Sequence, residues 1–193
     1  MKILYGVQGT GNGHTTRARA IAAEFRKLPV EVDYLFTGRP RDQYFDMEIF
    51  GDYRVLDGLT FITGEGKIRP LQTMINSKPW QFIKDVINLE LDSYDLVITD
   101  FEPVTAWACK LRNKPVVGLG HQYAFRHAIP QHRGSPLQQL ILQYFAPASR
   151  SLGLHWHHFN QPILPPVAPV TAPSQDIQRR RYLVYLPFES VAS

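Results

Sequence analysis

Eight residues near the start of the chain, Gly9-Thr10-Gly11-Asn12-Gly13-His14-Thr15-Thr16, combine three glycines with one ionisable ring. Glycine lets backbone amides approach a ligand closely, and a helix start adds partial positive charge beside it. A histidine within such a loop is placed to act as a general base. The plainer role for His14 is to cap or pack the helix start. A general base of this kind needs a carboxylate to orient its ring and to stabilise the imidazolium that forms. Asp100, which ends the apolar run beginning at Asp95, is the leading candidate. Glu102 is its rival, two residues on. Asp100 also suits the N-cap of a helix opened by Pro103.

Other chemistry-bearing residues surround these. Arg17 and Arg19 fall in the first turns of the helix after the glycine loop, where positive charge is unfavourable. Either an acidic neighbour or an anionic substrate group is expected to compensate. His121-Gln122 follows the run PVVGLG, and either contacts a polar ligand such as a sugar or belongs to a loop turning back over the sheet. His155, His157 and His158 lack a nearby acidic or cysteine companion, so exposed histidines are expected there rather than a metal site. A dinucleotide fingerprint would have its third glycine at position 14, which is His14, and an acidic residue near the end of the next strand, where Thr37-Gly38-Arg39 stands. Arg39 keeps open a contact to a 2′-phosphate.

The elements that position these residues alternate. Lys2–Gln8 is a short apolar run, and Ala18, Ile21, Ala22, Phe25 and Leu28 then share one face at helical spacing. Further strands are expected at Val30–Thr37, Tyr53–Leu56, Leu59–Ile62, Asp95–Thr99, Pro115–Gly120 and within Ser151–Phe159. Helices are expected at Leu71–Leu91, kinked or split at Pro79, at Pro103–Leu111 and at Pro136–Phe145. Strands that are apolar throughout, alternating with helices, describe an α/β domain: a doubly wound, Rossmann-like parallel sheet covered on both faces. In such a sheet the first and fourth strands are neighbours across the switch point. Their carboxyl ends would bring His14 and Asp100 face to face. The tryptophans Trp80, Trp107 and Trp156 are expected in the core or at its edge.

The chain has 193 residues, enough for one α/β domain with a real core and short for two. Hydrophobic residues make up 44% of it, mean hydropathy is -0.21, and no apolar run nears the roughly 20 residues that span a bilayer. The opening MKILYGVQGTG meets glycine too early for a secretory leader, and the expected setting is cytoplasmic. The single cysteine, Cys109, excludes an intrachain disulfide and is expected to be a buried thiol. A net charge of +4 suits anionic substrates, a membrane surface or simply a solvated basic face, but lacks the contiguous patch of a nucleic-acid binder.

Residues 162–173 carry five prolines and read as a linker or a strap on the domain. Tyr182–Leu186 then reads as the first strand of another α/β unit. The expected organisation is a Rossmann-like acceptor domain over 1–161, a proline-rich linker over 162–181, and the start of a truncated second domain over 182–193.

GTGNGHTTRA (Gly9 to Ala18) resembles the first-loop motif of GT-B glycosyltransferases that use nucleotide-sugar donors. SYDLVITDFEP (Ser93 to Pro103) and PVVGLGHQ (Pro115 to Gln122) resemble the same group, nearest to glycosyltransferase-like proteins some of which carry a teichoic-acid biosynthesis label. The resemblance implies two Rossmann-like domains facing across a cleft, of which this chain is the front, acceptor-binding half. It implies that His14, with Asp100, deprotonates an acceptor hydroxyl that attacks the anomeric carbon with inversion. It implies a nucleotide-sugar co-substrate bound by the rear domain, no metal and no other cofactor. The acceptor would be lipid-linked or a glycan, with peripheral contact at the inner face of the cell membrane and a role in the cell envelope. The chain alone, lacking the donor domain, is expected to be inactive. The expected site is therefore His14 and Asp100 as catalytic residues, with Gly9, Thr10, Gly11, Asn12, Gly13, Thr15, Arg17, Glu102, His121 and Gln122 binding substrate. Two alternatives stay open: a binding module that does not catalyse, and an NADP-dependent oxidoreductase domain resting on the glycine turn with Arg39 and Arg41.

Overall fold

In the computed structural model, residues 1–59, 63–64, 67–68, 78–130 and 136–167 are described. The chain runs β1 (Lys2–Gln8), α1 (Asn12–Phe25), β2 (Glu31–Thr37), β3 (Tyr53–Leu56), β4 (Thr63–Gly64), β5 (Lys67–Ile68), α2 (Pro79–Asn88), β6 (Leu96–Asp100), α3 (Pro103–Leu111), β7 (Val117–Gly120), α4 (His121–Ala124), α5 (Pro136–Tyr144), β8 (Arg150–Leu154) and β9 (Ile163–Leu164). Seven strands form one parallel sheet in the order β3-β2-β1-β6-β7-β8-β9, and β4 and β5 pair as a separate antiparallel hairpin. This is an α/β, Rossmann-like sheet, wound outward in both directions from β1.

Alternate residues of β1 feed two cores, as the period of a strand requires. Ile3, Tyr5 and Val7 pack with Ala18 and Ala22 of α1 and with Tyr34, Phe36 and Phe50. Leu4 packs on the other face with Leu35, Val86, Val97, Val104, Ala108 and Cys109, under α2 and α3. Helices therefore cover both faces, which is why the strands are apolar throughout. Cys109 is buried as expected.

Several expectations shift in detail. Of the helix expected over 71–91, residues 71–77 lie outside the described residues, and α2 opens with Pro79 at a first-turn position, where its missing N–H costs nothing. The strand expected at 59–62 and the run at 182–186 also lie outside the described residues, except for Leu59, which is not in a strand. Residues 41–51 hold two single 3-10 turns, Arg41–Gln43 and Glu48–Phe50. The sheet continues past 161: Ile163 and Leu164, placed by composition in the linker, pair in parallel with Gly153 and Leu154. Trp80 and Trp156 are not core residues; they are 82% and 88% exposed, whereas Trp107 packs partly buried beside the second core. Among the described residues no helix is long and apolar enough to cross a membrane.

Candidate functional site

The site is built where β1 and β6 end side by side. The register pairs Val7 with Asp100, so the last residue of β6 lies level with the loop that leaves β1. Beyond Asp100 the backbone passes through a left-handed conformation at Phe101, with φ 55°. That conformation costs a non-glycine residue roughly 1–2 kcal/mol. The Phe101 ring is held against Phe145 and Tyr123, with centroids 5.1 and 6.0 Å away. The turn separates the two carboxylates that flank it.

Asp100 joins the glycine loop. Its Oδ1 lies 2.7 Å from His14 Nδ1. The Arg17 guanidinium grips the same carboxylate with both arms, Nε donating to Oδ2 at 2.7 Å and Nη2 to Oδ1 at 2.5 Å. Tyr5 Oη, from the middle of β1, donates to Oδ2 at 3.4 Å. The Asp100 side chain is wholly buried, while those of His14 and Arg17 keep 15% and 13% exposure. Burial alone would push the Asp100 carboxyl up. Attraction to His14 and to the Arg17 guanidinium, with their hydrogen bonds, outweighs it and holds Asp100 below the ordinary carboxylate range. The compensation for Arg17 near the helix start is thus this acidic neighbour. Arg19 is matched differently, donating to the carbonyls of Phe45 and Asp46.

An ionised carboxylate only accepts hydrogen bonds. Arg17 Nη2 also approaches His14 Nδ1, at 3.0 Å, but the shorter carboxylate contact at 2.7 Å favours the ring proton on Nδ1, which leaves a lone pair on Nε2. Gln122 Nε2 donates toward that lone pair at 3.4 Å. Gln122 Oε1 is buried with no hydrogen-bond partner. The ring is thus oriented from behind by Asp100, and its reactive nitrogen is within reach of one amide that a substrate hydroxyl could displace. A Cβ on Gly11 or Gly13 would meet nothing within 4 Å, so the loop preceding His14 borders open space at these two positions. No described side chain caps α1, whose N-cap is Gly11.

Glycines also set the opposite wall. A Cβ on Gly120 would lie 3.1 Å from Asp100 Oδ1 and 3.4 Å from Arg17 Nη2, and Gly120 has φ 149°. A Cβ on Gly118 would strike the Tyr123 ring at 2.4 Å, and one on Gly153 would come 2.6 Å from Ala124 Cα. The short helix α4, which carries Gln122, sits directly on β7 and β8 because these three residues lack side chains.

Of the residues expected to bind substrate, Arg17 and Gln122 join the His14–Asp100 cluster, and Gly11, Asn12 and Gly13 border open space or the loop surface. Gly9 and Thr15 are packed inside the domain. Gly9 is buried where a Cβ would lie 1.9 Å from Tyr44 Oη, and Thr15 is 1% exposed. Thr10 Oγ1 accepts from Gln8 Nε2 at 2.7 Å. Glu102 is engaged within the protein. It is fully buried and is itself the N-cap of α3, accepting from the amides of Val104 and Thr105, each at 2.7 Å, and from the hydroxyls of Thr105 and Thr37. Burial raises its pKa against these hydrogen bonds. The N-cap role weighed for Asp100 belongs to Glu102. His121 is turned from His14: its Nδ1 lies 3.0 Å from the Leu154 carbonyl, and its ring stacks on His155 at 5.5 Å. Arg39 is engaged by the protein, donating to Asn12 Oδ1 at 3.0 Å and Thr15 Oγ1 at 3.4 Å, with its guanidinium 4.5 Å from the Tyr44 ring centroid. Sequence reasoning missed Tyr5 and Gly120. A lone tyrosine inside a central strand and a second glycine ending a strand were their only signals.

A histidine–carboxylate pair thus stands at the carboxyl edge of a doubly wound parallel sheet in an α/β domain. Residues 1–138 match the model of Glycosyl transferase family 1, and the chain belongs to that family. A stretch of 128 residues, 64% of the chain, is 33% identical to an uncharacterized glycosyltransferase of Methanosarcina acetivorans and covers 32% of it. The chain thus spans about a third of the length of that relative. Among solved structures, MurG of Acinetobacter baumannii superposes with a TM-score of 0.42 at 14% identity, over 88% of this chain and 43% of that one. A UGT transferase from Siraitia grosvenorii, solved in complex with UDP, gives a TM-score of 0.37 at 15% identity over 64% and 29%. Family membership supports the transferase reading and lends nothing to the oxidoreductase alternative.

Proposed function

We propose that this chain is the acceptor-binding half of an inverting, nucleotide-sugar-dependent glycosyltransferase of GT-B architecture, with His14 as the general base. The observation that carries the reading is the 2.7 Å contact between His14 Nδ1 and buried Asp100, which leaves the Nε2 lone pair facing the Gln122 amide at 3.4 Å. An acceptor hydroxyl displaces the Gln122 amide from Nε2 and gives its proton to the ring. Its oxygen forms the new bond to the anomeric carbon as the nucleoside diphosphate departs with the bonding pair. Asp100, already ionised and clamped by Arg17, balances the imidazolium that forms. A separate donor-binding unit supplies the nucleotide-sugar in the complete transferase, and this chain alone does not turn over.

The test is transfer by the complete enzyme carrying His14→Ala. Loss of a general base lowers the rate by about 10²–10⁴-fold, while nucleotide-sugar binding by the donor unit, read by calorimetry, stays unchanged. Undiminished transfer by the variant would remove His14 from the mechanism.

A further inference from the structure

A groove of about 420 Å³ opens between the residues that follow β2, the end of β3 and the first turns of α2. Arg39, Arg41, Leu56, Asp57, Gln81 and Asp85 line it. Its volume is in the range of small-ligand sites, roughly 300–1,000 Å³. Two of these side chains hold a buried polar atom with no hydrogen-bond partner among the described residues: Arg39 Nε, a donor, and Asp85 Oδ2, an acceptor. Asp85 is only 9% exposed. Buried polar atoms are almost always satisfied, so an orphaned donor and an orphaned acceptor on one groove call for an explanation.

Several other polar groups in and beside the groove are engaged. Arg39 spends its terminal nitrogens on Asn12 and Thr15. Arg41 donates to the Tyr53 carbonyl at 3.0 Å and stacks on that ring at 4.1 Å. Lys78 pairs with Asp57 at 2.8 Å, and Gln81 donates to Asp85 Oδ1 at 2.7 Å. The terminal nitrogens of Arg39 are turned to Asn12 and Thr15, and an anion in the groove would meet the Asp85 carboxylate. A hydroxyl group offers one donor and one oxygen acceptor, the complement of what remains. A ring bearing several hydroxyls can satisfy both atoms from one small body. The groove also adjoins the catalytic loop, because Arg39 bridges it to Asn12 and to Thr15, the neighbour of His14.

We infer that this groove is a subsite for an uncharged sugar ring, and that the acceptor of the transferase is a glycan whose neighbouring ring lies between Arg39 and Asp85. The inference rests on the acceptor reading given above. The sugar hydroxyl donates to Asp85 Oδ2 and a sugar oxygen accepts from Arg39 Nε.

The experiment is an NMR titration of the ¹⁵N-labelled 193-residue chain with cellobiose, maltose, lactose and N,N′-diacetylchitobiose, alongside sodium phosphate and glycylglycine. At least one disaccharide is expected to bind with a Kd on the order of millimolar, shifting the amides of Arg39, Arg41, Gln81 and Asp85. Phosphate and glycylglycine leave those amides unmoved. The isosteric Asp85→Asn and the shorter-reaching Arg39→Lys each weaken that disaccharide about tenfold or more. The wild-type shift map tests the assignment even if a variant fails to fold. No shift with any disaccharide, shifts confined to other residues, binding unaltered in both folded variants, or preference for phosphate or the peptide each overturns it. Those outcomes leave the His14 assignment standing, since that one is read from transfer. Loss of the His14 assignment with sugar still bound in the groove would separate the two in the other direction.

Discussion

Replacing Asp100 with Asn keeps the shape of the side chain and removes its charge. The structure shows what that charge holds: both arms of Arg17 and the Nδ1–H of His14. Asn offers one oxygen in place of two and turns an NH₂ toward a donor, so a guanidinium with 13% exposure loses its counter-charge. Removing one partner of a buried ion pair costs about 3–5 kcal/mol. For a domain of this size each kcal/mol lowers Tm by about 2–4 °C, so a 3 kcal/mol loss lowers it by about 6–12 °C. The sign with pH is fixed by the direction of the shift. Asp100 titrates lower in the folded chain than its unfolded value of about 3.9. Its contribution is therefore complete above that value and is lost as pH falls through the folded pKa. Thermal melts of wild type and Asp100→Asn between pH 3 and pH 8 read both effects. The gap should be full at neutral pH and should narrow in acid. A double-mutant cycle with Arg17→Gln adds a control, because Arg17→Gln should cost less once Asp100 is gone. Melting temperatures within about 2 °C at every pH, or strict additivity, would refute the assignment of energy to this cluster.

Glu102 should show the opposite pH dependence. Its pKa is raised in the folded chain, so its contribution is complete below the unfolded value of about 4.3 and is lost as pH rises through the folded pKa. Glu102→Gln, which turns an amide donor onto the α3 amides, should be less stable than wild type by about 1–3 kcal/mol near pH 5. That deficit should shrink toward pH 8, and a deficit growing with pH in urea titrations would contradict the assignment. Gly6→Ala should destabilise by about 1–3 kcal/mol, because its Cβ would lie 2.3 Å from Thr105 Oγ1 and 2.9 Å from Glu102 Oε2; an unchanged urea midpoint would show that α3 can yield. Burial pushes the Cys109 thiol up to about 12. Its reaction with an aromatic disulfide reagent at pH 8 should therefore follow global unfolding, and rapid labelling of the folded chain would show local opening of α3.

Local pattern and topology agree at the front of the chain. The run Lys2–Gln8, its glycine loop and the helical spacing after it were legible because each has its own period or breaker. The pairing of β1 with β6 followed from the alternation of strands and helices, and it places His14 against Asp100. Asp100 was ranked above Glu102 as the partner of His14, but the N-cap role of Glu102 was not legible, because it depends on the left-handed turn at Phe101, a conformation a phenylalanine does not advertise. For Arg17 the sequence offered a substrate anion or a protein carboxylate equally; only the three-dimensional approach of Asp100 decides between them. The edge strand Ile163–Leu164 is too short for a pattern and is masked by prolines on both sides. Trp80 and Trp156 were misplaced because aromatic content favours burial on average, and that average says nothing about a particular face.

The seating of α4 on β7 and β8 has a consequence for how this site tolerates change. Gly118 and Gly153 touch neither His14 nor Asp100, yet the height of Gln122 above the imidazole is fixed by the methyl groups they lack. The two positions work as shims of zero thickness. Any side chain there would jack the helix away from the sheet and widen the gap at His14 Nε2 without altering a single reacting atom. Tolerance maps of this chain should therefore show two intolerant glycines remote from the chemistry, whose replacement leaves the histidine–carboxylate pair intact and moves only what stands opposite it.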